Sequence, residues 1–146
     1  LNLQATAIEI WCWGAPLTVA SLYCPPKHVI KRHDFEEFFN TLGPKFIAAG
    51  DYNAKHMHWG SRLANPRGRE LLALMKSRTY GRLSSGEPTY WPTDVHKKPD
   101  LIDFAVTCGV NTERCNVKSC FDLTSDHTPV FIELTAEVEQ IQKSCT

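Results

Sequence analysis

The sequence predicts a layered α/β fold. Two observations carry this. Short apolar or β-branched runs alternate along the chain with helical stripes, the pattern that lays helices on a sheet. The chain is also long enough for a core: 146 residues, 42% hydrophobic and 22% charged. That composition excludes disorder, collagen and coiled coil for the chain as a whole.

Residues 4–11 (QATAIEIW) alternate Ala5, Ala7 and Glu9 with Thr6, Ile8 and Ile10, which predicts a strand. Trp13-Gly14-Ala15-Pro16 is a turn signal, and residues 17–23 (LTVASLY) read as a second strand, so the pair forms a hairpin. Pro25-Pro26 ends it. In residues 34–42 (DFEEFFNTL), Phe35, Phe38, Phe39 and Leu42 fall at helical spacing, and Gly43-Pro44 stops the helix. Residues 45–50 (KFIAAG) fit a short strand buried on both faces. Residues 51–66 are long, polar and aromatic-rich, with the look of a working loop. Residues 69–75 (RELLALM) predict a helix with Leu71, Leu72 and Met75 on one stripe. Residues 86–99 read as loop, 101–107 (LIDFAVT) as a strand with an acid in its middle, 122–126 as a turn, and 128–134 (TPVFIEL) as the last strand. Residues 1–135 form one body, and 136–146 a polar, weakly helical tail.

Lysine plus arginine and aspartate plus glutamate each number 16, so the formal charge is zero. A strongly basic nucleic-acid binder is excluded; a local basic face is not. The six cysteines include no Cys-x-x-Cys pair and no zinc-like spacing, and read as reduced, mostly buried thiols of an intracellular protein. No apolar run is long enough for a membrane span, so no membrane partner is expected. Leu1, in place of an initiator Met, fits an excised piece of a longer protein.

Three segments bring acids, an amide and a histidine to strand ends. In Gly50-Asp51-Tyr52-Asn53 a buried strand delivers Asp51 to its carboxyl edge, where ligands of layered α/β proteins sit. Asp51 can accept a proton or hold a cation, and Asn53 can orient a phosphate or a water; ordinary turn chemistry explains the same residues. Asp103 lies between large apolar residues. It either needs a partner such as a histidine or faces solvent on an edge strand. In Ser125-Asp126-His127, adjacent side chains point to opposite sides of an extended chain, so each looks elsewhere for a partner. His127 meets Asp103 if their strands are neighbours, leaving its other nitrogen free to act on water or phosphate. A turn with a surface histidine is the plainer alternative.

Taken in order, these segments resemble the endonuclease/exonuclease/phosphatase superfamily. The closer likeness is to the apurinic-endonuclease-like endonuclease domain of jockey-like non-LTR retrotransposons. Supporting residues are Ser21-Leu22-Tyr23-Cys24-Pro25-Pro26, Gly50 through His56, Trp59-Gly60-Ser61, Arg67-Gly68, Pro88-Thr89-Tyr90 and Ser125 through Val130. The resemblance spans residues 4–134.

It implies a mixed, largely antiparallel sheet within a two-sheet, four-layer sandwich, and a metal-dependent phosphodiesterase. By family pattern Asp51 binds or activates the attacking water, and Asn53 and Tyr23 hold the scissile phosphate. His127, held by Asp103, stabilises the pentacoordinate phosphate or assists proton transfer. Asp126 helps hold Mg²⁺ or Mn²⁺, hard cations suited to oxygen ligands. The implied substrate is nuclear DNA, nicked to leave a 3′-hydroxyl that primes the reverse transcriptase of the parent polyprotein. The family's early Asn and metal-binding Glu precede anything in this sequence, and Glu9 aligns after them. The chain therefore reads as the C-terminal portion of the domain, with an apolar sheet face for a homodimer partner or swapped element to cover.

On the same reading Lys55, His56, Arg62 and Arg67 contact the DNA backbone, with Arg69 beside them. Tyr90 and Trp91 stack on a base or wedge the minor groove. The alternatives are a solvated charged face, two polar loop histidines (His56 and His58), and a satellite cluster under the loop. Two other functions compete with the nuclease: a non-catalytic interaction module, and a phosphatase of the same superfamily.

Overall fold

The computed structural model describes residues 2–122 and 124–136. Five strands form one sheet. β1 (Gln4–Cys12) and β2 (Ala15–Tyr23) make the expected hairpin. Trp13 and Gly14 both take positive φ (54° and 73°), the pairing a tight hairpin turn requires. β3 (Phe46–Asp51) runs parallel to β2 after a crossover through α1 (Arg32–Asn40). β4 (Gly81–Leu83) and β5 (Asp103–Cys108) complete the sheet in the order β1-β2-β3-β5-β4, and every pairing except β2–β3 is antiparallel. β6 (Cys115–Ser119) and β7 (Val130–Leu134) form a separate two-stranded sheet.

Both helices lie on one face. α1 buries Phe35, Phe38 and Phe39 as its spacing predicts, and Phe39 stacks on Phe46 of β3 at 5.3 Å. Complete burial of such side chains stabilises a fold by about 1.5–3 kcal/mol each. α2 (Pro66–Arg78) starts three residues earlier than expected. Asn65 caps it by accepting from the Gly68 N–H at 2.7 Å, and Pro66 takes the first helical position, where its missing N–H costs nothing. Ala20, Leu22, Ala48 and Phe104 complete this core with the helices.

The opposite face is only partly covered. Leu17, Ile47 and Ala105 pack against Val117, Ile132 and Leu134 of the β6–β7 hairpin. Beside that hairpin a cavity of about 610 Å³, lined by Ile8, Val19, Ala49 and Ile132 among others, opens toward Asp103 and His127. Ile8 stays 61% exposed.

Three sequence expectations are corrected. Asp103 begins its strand rather than sitting in its middle, because a side chain takes the preceding ladder positions: Thr89 Oγ1 accepts from the N–H groups of Ile102 and Asp103, both at 3.0 Å. The last strand pairs with β6 and never joins the main sheet, and His127 precedes it, so Asp103 and His127 do not meet through neighbouring strands. Of the five described cysteines, all free, only Cys12 and Cys24 are buried. The tail, from residue 137 onward, lies outside the described residues, as does Cys145. Among the described residues no helix is long and apolar enough to cross a membrane.

Candidate active site

The site forms at the carboxyl end of β3, on the sheet face away from the helices. Tyr23, Asp51 and Asp103 lie side by side there. Tyr23 pairs with Asp51 across β2–β3, and Asp51 with Asp103 across β3–β5. In-register neighbours project to the same face, so sheet pairing alone brings the two carboxylates together.

The turn after β3 explains its own sequence. Gly50 has φ +152°, and a Cβ there would sit 1.9 Å from the Leu22 carbonyl oxygen, so only glycine lets β2 and β3 approach. Asp51 Oδ1 then accepts from the Asn53 N–H at 2.9 Å. Asn53 takes φ +46°, which asparagine tolerates better than most residues. Its carboxamide Nδ2 donates to the Cys24 carbonyl at 2.9 Å. Turn chemistry and a working site are therefore the same structure here.

His127 arrives from the segment that leads into β7. Its Nδ1 lies 2.9 Å from Asp103 Oδ2. A carboxylate can only accept, so Nδ1 carries the proton and Nε2 is left for other chemistry. The loop of residues 88–92 sets this contact. Tyr90 bridges both Asp100 and His127, Trp91 N–H donates to the Asp126 carbonyl at 2.7 Å, and Trp91 Nε1 donates to Thr128 Oγ1 at 2.9 Å. Long-range stitching thus achieves what strand pairing does not.

Asp51, Asp103 and His127 each offer a ligand atom, all within 4.8 Å of one another. Two carboxylates at this separation repel when both are ionised. Burial, then the Asp103 charge, pushes Asp51 from its ordinary 3.8 up to about 6, against the lowering influence of the Asn53 hydrogen bond and of nearby His127 and Arg67. Crowded, half-buried acids of this kind fit a hard divalent cation, which relieves their repulsion. Asp126 lies outside this cluster, exposed, with its carboxylate 3.4 Å from Ser125 Oγ.

The residues expected at the DNA divide. Arg62 is exposed and has no acid partner among the described residues. Lys55 is half-exposed but its ammonium sits 3.2 Å from the buried carboxylate of Asp100. His56 caps the short 3-10 turn Met57–Trp59 by accepting from the His58 N–H, and burial with the charges of Lys76 and Arg69 holds it below the usual histidine range. Trp91 is 45% exposed, whereas Tyr90 packs on His127 with ring centres 5.1 Å apart. Tyr23 is 42% exposed at the rim. Arg67 is a correction. It is 8% exposed, and its guanidinium is consumed by the carbonyls of Cys24, Pro25, His28 and Tyr52, so it does not face a phosphate.

Sequence reading missed two supports. Thr89, fully buried, aims Asp103 through the two hydrogen bonds described above. Asp100, 2% exposed, accepts from the Arg62 and Leu101 N–H groups and holds Lys55. The signal for Asp100 is an acid placed between Pro99 and an apolar run; Thr89 stands in the Pro88-Thr89-Tyr90 segment that carries the resemblance, but nothing local distinguishes a loop threonine from a buried acceptor.

Residues 17–131 match the family described as endonuclease–reverse transcriptase. Among curated proteins, the RNA-directed DNA polymerase from mobile element jockey of Drosophila funebris is 38% identical over 97% of this chain and 16% of its own length. The Drosophila melanogaster counterpart is 41% identical over 91% and 14%. The chain therefore spans about one-sixth of these relatives. Among solved structures, the endonuclease domain of TRAS1, a telomere-specific non-LTR retrotransposon, superposes with a TM-score of 0.80 at 21% identity, covering 92% of this chain and 64% of that one. The chain belongs to the endonuclease–reverse transcriptase family, and its fold is that of a non-LTR retrotransposon endonuclease domain.

Proposed function

We propose that this domain is a divalent-cation-dependent DNA endonuclease. It nicks nuclear target DNA to leave a 5′-phosphate and a 3′-hydroxyl that primes a reverse transcriptase carried in the same polyprotein. The observation that carries the reading is the convergence of Asp51, Asp103 and His127, all half-buried, from three separate segments of the chain. Two carboxylates this close repel when both are ionised, and a bound divalent cation would relieve that repulsion.

Asp51 and Asp103 would hold Mg²⁺ or Mn²⁺, which when bound neutralises phosphate and leaving-oxygen charge. Asn53 holds a phosphate oxygen through its carboxamide. Tyr23, at the rim of the same face, contacts the same phosphate. Asp51, at the carboxyl end of β3, binds or orients the attacking water. His127, fixed through Nδ1 by Asp103, presents Nε2 to the phosphate as a hydrogen-bond donor or acceptor. Asp126 extends the acidic rim, and Lys55, His56, Arg62 and Trp91 contact the flanking strand. The aromatic and basic loops around the cleft favour a polymer over a small phosphate ester.

The test is nicking of supercoiled plasmid with Mg²⁺, with EDTA, and with Asp51→Ala. EDTA-sensitive nicking lost in Asp51→Ala is expected. A folded chain that leaves plasmid intact in Mg²⁺ and Mn²⁺ but hydrolyses inositol phosphates would turn the reading to a phosphatase. One inert toward both would make it an interaction module.

A further inference from the structure

Arg67 is a buried cation with no carboxylate partner among the described residues. Burying a charge is costly, and an apolar side chain of the same size fills a core more cheaply. What the guanidinium does instead is specific. Nη1 donates to the carbonyls of Cys24 at 3.2 Å and Tyr52 at 3.1 Å; Nη2 donates to those of Pro25 at 2.7 Å and His28. The first, third and fourth belong to the loop leaving β2, and the second to the loop leaving β3. One planar fork from α2 therefore ties the two strand exits together, a geometry that lysine cannot reproduce.

Cys24 is the node of this arrangement. Its N–H donates to the Asp51 carbonyl at 2.8 Å. Its carbonyl accepts from both Arg67 and the Asn53 carboxamide. α2 is itself locked to the same loop. Asn65 Oδ1 accepts from the Lys55 and Gly68 N–H groups, Asn65 Nδ2 donates to the Asn53 carbonyl at 3.2 Å, and a Cβ on Gly68 would lie 1.9 Å from the Lys55 carbonyl oxygen.

We propose that Arg67 is a positioning residue: by drawing four carbonyls of the β2 and β3 exit loops together, it holds the Cys24 carbonyl that orients the Asn53 carboxamide. The consequence for catalysis rests on the phosphate-holding role proposed above for Asn53; the positioning itself does not.

The experiment separates the two. In ¹⁵N NMR of the unaltered full chain, the Asn53 Nδ2 proton facing Cys24 should exchange with water at least about tenfold more slowly than those of exposed Asn2, as expected of a held amide. In Arg67→Lys that protection should be lost. In plasmid nicking, Arg67→Lys should lower kcat by about 10–100-fold, the scale of a misplaced catalytic group. KM should stay within about twofold, and adding Asn53→Ala should cause no further loss, because the two act as one unit. Unprotected Asn53 protons in the unaltered chain would overturn the proposal, and this readout holds even where Arg67→Lys fails to fold. Retained protection in Arg67→Lys would overturn it too, as would multiplicative losses in the double variant. An unaltered chain that never nicks DNA sinks the nuclease reading, while the exchange measurements still decide the role of Arg67.

Discussion

Asp51→Asn should stabilise the cation-free protein while abolishing nicking. Asp51 is raised from 3.8 to about 6, first by burial and then by Asp103 across the β3–β5 register. The folded state thus holds the proton more tightly than the unfolded chain does. The stability contributed by that proton is complete below pH 3.8 and is lost as pH rises through about 6. Two units at 1.36 kcal/mol each give an upper limit of about 3 kcal/mol. Asp51 stands at a partly exposed sheet edge, and solvent screening reduces this to about 1–2 kcal/mol. Asparagine keeps the acceptor for the Asn53 N–H and carries no charge against Asp103. Urea melts in EDTA should therefore place Asp51→Asn about 1–2 kcal/mol above the unaltered chain at pH 8, narrowing to under about 0.5 kcal/mol at pH 4. Excess Mg²⁺ should raise the unaltered chain toward the variant, since a ligand bound only by the folded state stabilises it. A variant less stable at pH 8, or a gap unchanged between pH 4 and pH 8, would refute the argument that these acids repel.

Thr89→Val removes the acceptor shared by the Ile102 and Asp103 N–H groups; a loss of about 1–3 kcal/mol in a thermal melt is expected. Nicking should fall further than stability accounts for, because Asp103 loses its aim. Gly50→Ala forces a Cβ to within 1.9 Å of the Leu22 carbonyl oxygen, so the variant should lose more than about 4 kcal/mol or fail to fold; a normal melting curve would contradict that register. Cys24, buried and pushed up to about 12, should resist alkylation by iodoacetamide at pH 8 in the folded chain and react only on unfolding, as peptide mapping would reveal.

Much of the architecture was legible along the chain. The β1–β2 hairpin, the Phe35–Phe38–Phe39 stripe and the apolar run before Asp51 are local patterns, and local patterns reflect local energetics. α2 begins three residues before its apolar stripe, where Asn65-Pro66 supplies a cap and a first-turn proline at the end of a polar, aromatic-rich loop that has no helical period. β4 is three residues long, and β6 (CNVKS) mixes polar and apolar residues, so neither carries a readable period. Arg67 looked like a surface cation beside other basic residues. Only the position of α2 against the two exit loops reveals that its charge is spent on carbonyls.

Sequence by itself determined which residue types the site would use. A glycine that admits close strands, an acid and an amide in one turn, and a histidine before a strand are each dictated by short-range geometry. Tertiary structure alone decided how they meet. Asp51 and Asp103 converge because β3 and β5 pair in one register among many, and His127 reaches Asp103 through a loop stitched by Thr89, Tyr90 and Trp91 rather than through a neighbouring strand. Contacts between residues 24 to 76 positions apart depend on how the whole sheet closes, and no local pattern encodes that.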